Sequence, residues 1–299
     1  MSLEPPVVYF GRKPPHAARL VWDALGRDAA HYVEPFCGAL GVLLHVPYVD
    51  GRTETINDYN CWVTNFWRAM KYAPNDLAVA CCEPVVTLDM HAWAHAMQRR
   101  SAVMRDVLIR SPGLFDLPAA AAWAMGRSQC IGSDMENLGY SVPALGDRGR
   151  GVKAVPRRDD LRAQFDVLSR RMRHVRIHCG DWTSVLTSAV IGASSAWANH
   201  PVAVFLDPPY DKEERMGDVY GGTRGVAGAT EAWCLENGHR ENMRIVLAGY
   251  RGHYDLPGWG QVSWAQSGGY SDAGQNEMLW LSPGCAAARV QHSLFGGSQ

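Results

Sequence analysis

The sequence predicts an α/β fold, in which a mostly parallel sheet is flanked by helices, and three observations support this. Short apolar runs with strand character alternate with segments whose apolar residues recur at helical spacing. Parallel strands joined by crossover helices require such an alternation. The 299 residues suffice for a sizeable core, and 47% hydrophobic against 20% charged residues is typical of a globular protein.

In the first half of the chain, strands and helices alternate from the start. Strands are predicted at residues 31–33 and 53–56, and helices at residues 20–25, 42–44, 62–70 and 87–110. Gly26 ends the first helix, Pro35 breaks the first strand, and Gly38 and Gly41 open a turn after it. Residues 111–156 lose periodicity, and an irregular stretch of that length is usually functional.

The second half of the chain resumes the same alternation. Strands are predicted at residues 175–179, 202–206, 245–247, 262–264 and 278–281, and helices at residues 159–172, 185–186 and 230–237. Residues 217–228 are rich in glycine and are predicted to form a loop. The last two strands are predicted to pair as a hairpin around Gly268 and Gly269.

Composition excludes several classes of protein. The eight cysteines form no C-x-x-C pair, so neither a disulfide framework nor a zinc site is expected. His91 and His95 lie four residues apart but lack a nearby third ligand, so we expect no metal. There is no run of 18 apolar residues and no leader pattern at the N-terminus. We therefore expect no membrane partner and a cytoplasmic location.

Basic residues cluster between Arg148 and Arg176, although the formal net charge of the chain is only −1. This segment holds ten Arg or Lys against three Asp. Leu161, Phe165, Leu168 and Met172 form an apolar helical stripe, which predicts a solvated face for Arg162, Arg170 and Arg171. The candidates for phosphate contact lie in or beside the irregular chain and are Arg148, Arg150, Lys153, Arg157 and Arg158. Trp123, in the same region, is a candidate for base contact.

The sequence Asp207-Pro208-Pro209-Tyr210 directly follows the apolar strand 202–206. The two prolines stiffen the turn and donate no hydrogen bonds, so it presents a carboxylate, a carbonyl and an aromatic ring at the sheet edge where ligands bind. The exocyclic amine of a nucleobase is a poor nucleophile because its lone pair is delocalised into the ring. The Asp207 carboxylate and the Pro208 carbonyl can each accept a hydrogen bond from one of its two N–H groups while Tyr210 stacks on the base. The alternative is an ordinary turn at a strand end.

Two further acids also end predicted core strands. Residues 31–41 run from strand through a glycine turn towards a helix, a shape that lets backbone approach a ligand closely. Asp58 follows about 20 residues later, where a ribose-binding acid is expected. Asp181 ends a third strand, with Trp182 beside it as a face for an adenine ring. Each acid alone fits a cap or loop role equally well, but these two acids and Asp207, at the ends of three core strands, together favour a small-molecule site.

This ordered set of motifs resembles the Dam-type adenine-specific DNA methyltransferases, which use S-adenosylmethionine. The motifs are YFGRK at 9–13, YVEPFCG at 32–38, IND at 56–58, CGDW at 179–182 and DPPY at 207–210. The resemblance covers the chain from about Val7 to Cys285. The single motifs are common, whereas their ordered combination is specific.

The resemblance implies a Rossmann-like methyltransferase sheet flanked by helices, formed by residues 1–83 and 175–299. Residues 84–174 would be an inserted DNA-recognition subdomain, because the family places its insert between the ribose-binding acid and the catalytic motif. The resemblance also implies S-adenosylmethionine as cofactor and double-stranded DNA as partner, in a bacterial or phage-infected cell. We expect a monomer, with a dimer left open.

The resemblance also assigns residue roles. The catalytic residues would be Asp207, Pro208, Pro209 and Tyr210. The cofactor-binding residues would be Tyr9, Lys13, Glu34, Pro35, Phe36, Cys37, Gly38, Asp58, Asp181 and Trp182. Among these, Lys13 would lie near the methionine carboxylate, Asp58 would bind the ribose hydroxyls and Asp181 would recognise the cofactor's adenine.

Two departures from the family pattern limit what carries over. The family usually has Gly-Gly-Lys where this chain has Gly11-Arg12-Lys13, and the insert aligns with no member of known target sequence. Three alternatives stay open at this point. They are methylation of the cytosine N4 amine, although the Ser usual in that motif is absent, methylation of an RNA base, and a catalytically silent DNA-binding relative.

Overall fold

The computed structural model describes residues 3–9, 11–83, 87–129, 152, 158–191, 200–209, 225–263 and 277–285. The helices are α1 Pro15–Leu25, α2 Cys61–Tyr72, α3 Pro74–Cys82, α4 Thr87–Arg110, α5 Leu117–Gln129, α6 Arg158–Met172 and α7 Val226–Asn237. The strands are β1 His31–Glu34, β2 Thr53–Asp58, β3 Val175–Cys179, β4 Val202–Leu206, β5 Met243–Tyr250, β6 Gly260–Ser263 and β7 Glu277–Leu281. Short 3₁₀ helices lie at Leu43–His45 and Trp182–Val185. They overlap the short helices that the sequence predicts at residues 42–44 and 185–186.

The strands form one seven-stranded sheet in the order β3-β2-β1-β4-β5-β7-β6. β4 is parallel to both β1 and β5, whereas β7 runs antiparallel to β5 and β6. The predicted α/β class with a mostly parallel sheet is therefore confirmed. The predicted pairing of the last two strands is also confirmed, while Gly268 and Gly269 lie outside the described residues.

The central strands are covered on both faces, and β4 accordingly carries a continuous apolar run. Every residue of β1, β4 and β7 is buried, as are six of the eight residues of β5. Strands covered on both faces lose the alternation of polar and apolar residues that marks a half-exposed sheet. For this reason the apolar run at residues 202–206 predicts the bounds of β4 correctly.

The chain divides into two compact units. The first unit comprises Met1–Arg12, Cys37–Tyr48 and Ile56–Trp182, and the second comprises Lys13–Phe36, Val49–Thr55 and Thr183–Gln299. Each unit combines segments that are distant in sequence. The boundaries 84 and 174 for an inserted subdomain stay a prediction.

In the first unit, a buried arginine holds the end of α4. Arg68 on α2 is 1% exposed and donates hydrogen bonds to the carbonyls of Leu108, Ser111 and Leu114. It also donates to the carbonyl of Ile177 on β3. A guanidinium has five N–H donors, so one side chain can satisfy several carbonyls that a helix end leaves without partners.

Helix α5 corrects the prediction that residues 111–156 are irregular. Residues 120–128 are buried without a polar face, so they carry no helical periodicity that a sequence pattern could reveal. Trp123 is fully buried and packs against Phe66, with ring centroids 5.4 Å apart. The interpretation of Trp123 as a base contact is therefore wrong, because its ring belongs to the core.

Helix α6 has the predicted apolar stripe, but one arginine that was predicted to be solvated is buried. Its four predicted apolar residues, Leu161, Phe165, Leu168 and Met172, are all buried. Arg170 is exposed as predicted and pairs with Asp166 at 2.8 Å. Arg171 was predicted to be solvated, but it is 7% exposed and donates to the carbonyls of Val46 and Leu43. Capping those carbonyls offsets part of the cost of burying its charge.

In the second unit, α1 packs against β4 and β5. Trp22 on α1 stacks on Tyr32 of β1, with ring centroids 4.7 Å apart. Helix α7 begins at Val226, four residues before the predicted start, so residues 226–228 are helical rather than loop. Gly225 directly precedes this helix, and residues 217–224 of the predicted glycine-rich loop lie outside the described residues.

Candidate functional site

In the second unit, the carboxyl ends of β1 and β4 lie side by side. The two strands are parallel, with Val33 opposite Val204. The sheet continues from β1 to β2 on one side and from β4 to β5 on the other, so the strand order reverses between them. Open α/β sheets bind ligands outside the carboxyl ends of the strands at such a switch point. The predicted site residues that leave at this edge are Pro35 and Phe36 after β1, and Asp207, Pro208 and Pro209 after β4.

Lys13 and Asp207 form an ion pair at this edge. Lys13 Nζ lies 2.7 Å from Asp207 Oδ1, and the two side chains are 2% and 17% exposed. Lys13 immediately precedes Pro14 and the start of α1, so the helix that packs on β4 and β5 positions its ammonium. A charge-assisted contact this short fixes the orientation of the carboxylate. The sequence predicted both residues as site residues but not their pairing.

A third charged residue, Glu277, also belongs to this edge, and the sequence did not predict it. Glu277 begins β7 and lies opposite Tyr250, the last residue of β5, in an antiparallel pair. It is 7% exposed. Burial raises the pKa of the Glu277 carboxyl. The positive charge of Lys13 acts to lower this pKa, and the negative charge of Asp207 acts to raise it. Glu277 therefore interacts electrostatically with both members of the ion pair.

Glu34, a predicted cofactor residue, is 2% exposed and takes part in an internal contact. The Tyr32 hydroxyl donates to its Oε2 at 2.8 Å. Burial raises the pKa of Tyr32, and the negative charge of Glu34 raises it further, so Tyr32 stays a donor. This contact holds Glu34 at the end of β1.

In the first unit, Asp58 clamps the glycine turn. The backbone N–H of Gly38 donates to Asp58 Oδ2 at 2.9 Å, and that of Asn60 donates to Oδ1 at 2.8 Å. Cys37 Sγ lies 3.9 Å from the same Oδ2. An ionised carboxylate offers about four acceptor positions, so clamping the backbone and recognising hydroxyl groups are compatible roles.

Position 38 requires glycine because of its backbone conformation and because of the neighbouring side chain of Tyr9. Its φ is +43°, and a Cβ there would lie 2.9 Å from Cε1 of Tyr9. The Tyr9 ring is itself covered by the Arg127 guanidinium, which lies 4.4 Å from the ring centroid. The turn therefore accepts only a glycine at this position without displacing the half-buried Tyr9.

Asp181 and Trp182 follow β3 in the first unit. Asn57 Nδ2 donates to the carbonyl of Gly180 at 3.0 Å, and the N–H of Gly180 donates to the carbonyl of Asp58 at 3.2 Å. These bonds tie the end of β3 to the end of β2. The Asp181 side chain is exposed there, whereas Trp182 is 7% exposed.

Several predicted residues lie outside the described residues. These are Tyr210 of the turn and the basic residues Arg148, Arg150, Lys153 and Arg157. Arg158 begins α6, but its side chain is among those not described. The structure thus describes the side chains of Lys13 and Asp207 at the sheet edge, but not the side chain of any predicted phosphate-contact residue.

No protein-family model matches this chain, and no curated protein matches it. Within the described residues, every helix falls short of the length or the apolar character that a bilayer crossing demands. In the same part of the chain, no three His, Cys, Asp or Glu side chains are arranged to hold a metal ion.

Proposed function

We propose that this protein transfers a methyl group from S-adenosylmethionine to the N6 amine of adenine in double-stranded DNA. The observation that carries the proposal is the Asp207-Pro208 turn at the β1–β4 switch point, with Lys13 fixed 2.7 Å from the Asp207 carboxylate. The resemblance of five ordered motifs to the Dam-type enzymes supports the choice of reaction. S-adenosylmethionine, when bound, supplies a methyl group that its sulfonium already activates.

Asp207 and Pro208 would make the amine reactive. The carboxylate of Asp207 and the carbonyl of Pro208 would each accept a hydrogen bond from one N–H of the amine and draw its lone pair out of conjugation with the ring. As the nitrogen bonds the methyl carbon, the bond of that carbon to sulfur would break and leave a neutral thioether, and the amine would release one of its two protons to water. Pro208 is buried, and its fixed φ stiffens the turn that presents the carbonyl. Lys13 would keep the Asp207 carboxylate oriented towards the amine through their 2.7 Å contact.

A base inside a duplex must leave the stack to reach this turn. Flipping a base costs a few kcal/mol, which stacking and hydrogen bonding in the pocket recover. Tyr210 would supply the stacking. The basic residues of 148–158 would contact the phosphates, and each such contact steepens the salt dependence of binding by almost one unit of log–log slope.

Asp58 fits the proposed ribose contact by its chemistry and its position. It is half-buried, its carboxylate is fixed by two backbone N–H groups, and it ends β2 beside a glycine turn. Hydrogen bonds to charged groups are worth about 1.5–3 kcal/mol. Carboxylates placed in this way hold ribose hydroxyls in dinucleotide-binding folds.

Asp58→Ala should weaken S-adenosylmethionine binding by about 10- to 100-fold, as expected from losing one or two such hydrogen bonds. Binding of a DNA duplex should stay within about twofold, because the predicted phosphate contacts lie elsewhere in the chain. Calorimetry with the cofactor and fluorescence anisotropy with a labelled duplex measure the two affinities.

Asp106→Ala is the matched control, since Asp106 is an exposed acid paired with Arg110 on α4. Asp58→Asn separates the two roles of the side chain, because it keeps one oxygen to clamp the turn. If Asp58→Ala bound the cofactor normally but lost DNA, the assignment of Asp58 to the cofactor would be wrong.

A further inference from the structure

Glu277 is a buried carboxylate whose position follows from the antiparallel direction of β7. Because β7 runs against β5, its first residue lies at the edge where the parallel strands β4 and β5 end. Asp207 leaves β4 at this same edge. The sheet thus brings the two acids together from positions 70 residues apart in the sequence.

The Oε2 atom of Glu277 is buried and accepts no hydrogen bond within the part of the chain that the structure describes. The residue as a whole is 7% exposed. Leaving a buried acceptor without a partner is costly, and such groups in native proteins call for an explanation. An acid at the candidate site with an unsatisfied oxygen is poised to interact with a bound ligand.

In the part of the chain that the structure describes, one basic and two acidic side chains interact at this edge. Among the described residues, the charged groups that act on Glu277 are Lys13 and Asp207. Lys13 already contacts Asp207 at 2.7 Å. When both acids are ionised, these three described groups carry one positive and two negative charges, and one of the negative charges is that of the buried Glu277.

The two ligands that such a site must exchange differ by one charge. The methyl donor carries a positive sulfonium, and the product of methyl transfer, S-adenosylhomocysteine, carries a neutral thioether in its place. Their adenosine and amino-acid groups are identical. A negative charge near the reacting edge therefore favours the donor and has little effect on the product.

We propose that Glu277 is a specificity-determining residue, whose buried charge biases this site towards the sulfonium donor and against the neutral thioether product. This inference rests on the proposed function. At an effective dielectric constant of about 20, two unit charges several ångströms apart change an equilibrium constant by roughly tenfold or more. A bias of that size would ease the release of product after each transfer.

Glu277→Gln should weaken binding of S-adenosylmethionine by about tenfold and change that of S-adenosylhomocysteine by less than about twofold. Isothermal titration calorimetry of the full chain with each compound gives the two affinities and their ratio. Glu236→Gln, an exposed residue on α7, is the matched control and should leave both affinities unchanged. If Glu277 had a purely structural role, Glu277→Gln would weaken the binding of both ligands by the same factor.

A second measurement covers the case in which Glu277→Gln does not fold. Because burial raises the pKa of Glu277, its charge is present above that pKa and is lost as the pH falls through it. In the wild-type protein, the affinity ratio of donor to product should therefore decrease as the pH is lowered from about 8 to about 5. A ratio independent of pH would overturn the inference in that case.

The outcomes also separate this inference from the proposed function. If the wild-type protein binds both compounds and Glu277→Gln leaves their ratio unchanged, only the role of Glu277 is wrong. If the wild-type protein binds neither compound, the proposed function fails and the inference falls with it.

Discussion

Asp207→Asn should lower the rate of methyl transfer by about 10²–10³-fold in kcat, the size of effect seen when one preorganised polar group is removed from a reacting centre. The substitution replaces one carboxylate oxygen with an NH₂ group and removes the negative charge. The side chain can then no longer offer the amine a charged acceptor. Transfer of a labelled methyl group to duplex DNA, measured at saturating cofactor and DNA, gives kcat directly.

The control for this variant is Asp166→Asn. Asp166 is an acid on α6 whose pairing with Arg170 involves side chains that are 48% and 61% exposed. It should retain the wild-type rate. If Asp207→Asn retained it as well, Asp207 would have no part in the chemistry.

Lys13→Met should reduce the free energy of unfolding by about 3 kcal/mol. Removing one partner of a buried ion pair costs about 3–5 kcal/mol, because the other charge stays buried without compensation. We expect the lower end of this range because the Asp207 side chain is 17% exposed, so water partly compensates its charge. Urea unfolding at fixed salt measures the change. Arg170→Met, which breaks the exposed pair with Asp166, should cost no more than about 1 kcal/mol.

The double variant Lys13→Met with Asp207→Asn distinguishes stability from catalysis. Replacing both members of a buried pair is often nearly neutral, so the double variant should recover much of the lost stability. Its methyl transfer should stay as low as that of Asp207→Asn. Strictly additive losses of stability would show that the 2.7 Å contact contributes no coupling.

Elements with a clear local signal were predicted well from the sequence. β3, β4 and α4 have the predicted bounds, because each is an apolar run or a periodic segment bounded by polar or turn residues. α3 and α5 were missed for the opposite reason. Both are rich in small apolar residues and pack against other helices, α3 on α5 and α6, so their polar and apolar residues do not segregate at the spacing that marks a helix in sequence. Pro74 at the first turn of α3 was the available signal.

The candidate site divides in the same way. Lys13, Asp58 and Asp207 belong to local motifs, and the sequence predicted each as a site residue. Glu277 has no such motif, since it precedes an apolar strand and looks like any acid at a strand end. Only the antiparallel pairing of β7 with β5 carries it to the edge where Asp207 lies. Burial of Arg171 likewise depends on packing against residues more than 100 positions away.

The most direct test of the central claim is the identity of the base that the protein modifies. Duplex DNA containing all four bases is incubated with the protein and methyl-labelled S-adenosylmethionine, digested to nucleosides and analysed by mass spectrometry. The account predicts label in N6-methyladenine, and an initial rate of labelling about 10²–10³-fold lower when Asp207→Asn replaces the wild-type protein. Label in N4-methylcytosine, label only when RNA is supplied, or no label in any nucleoside would contradict it.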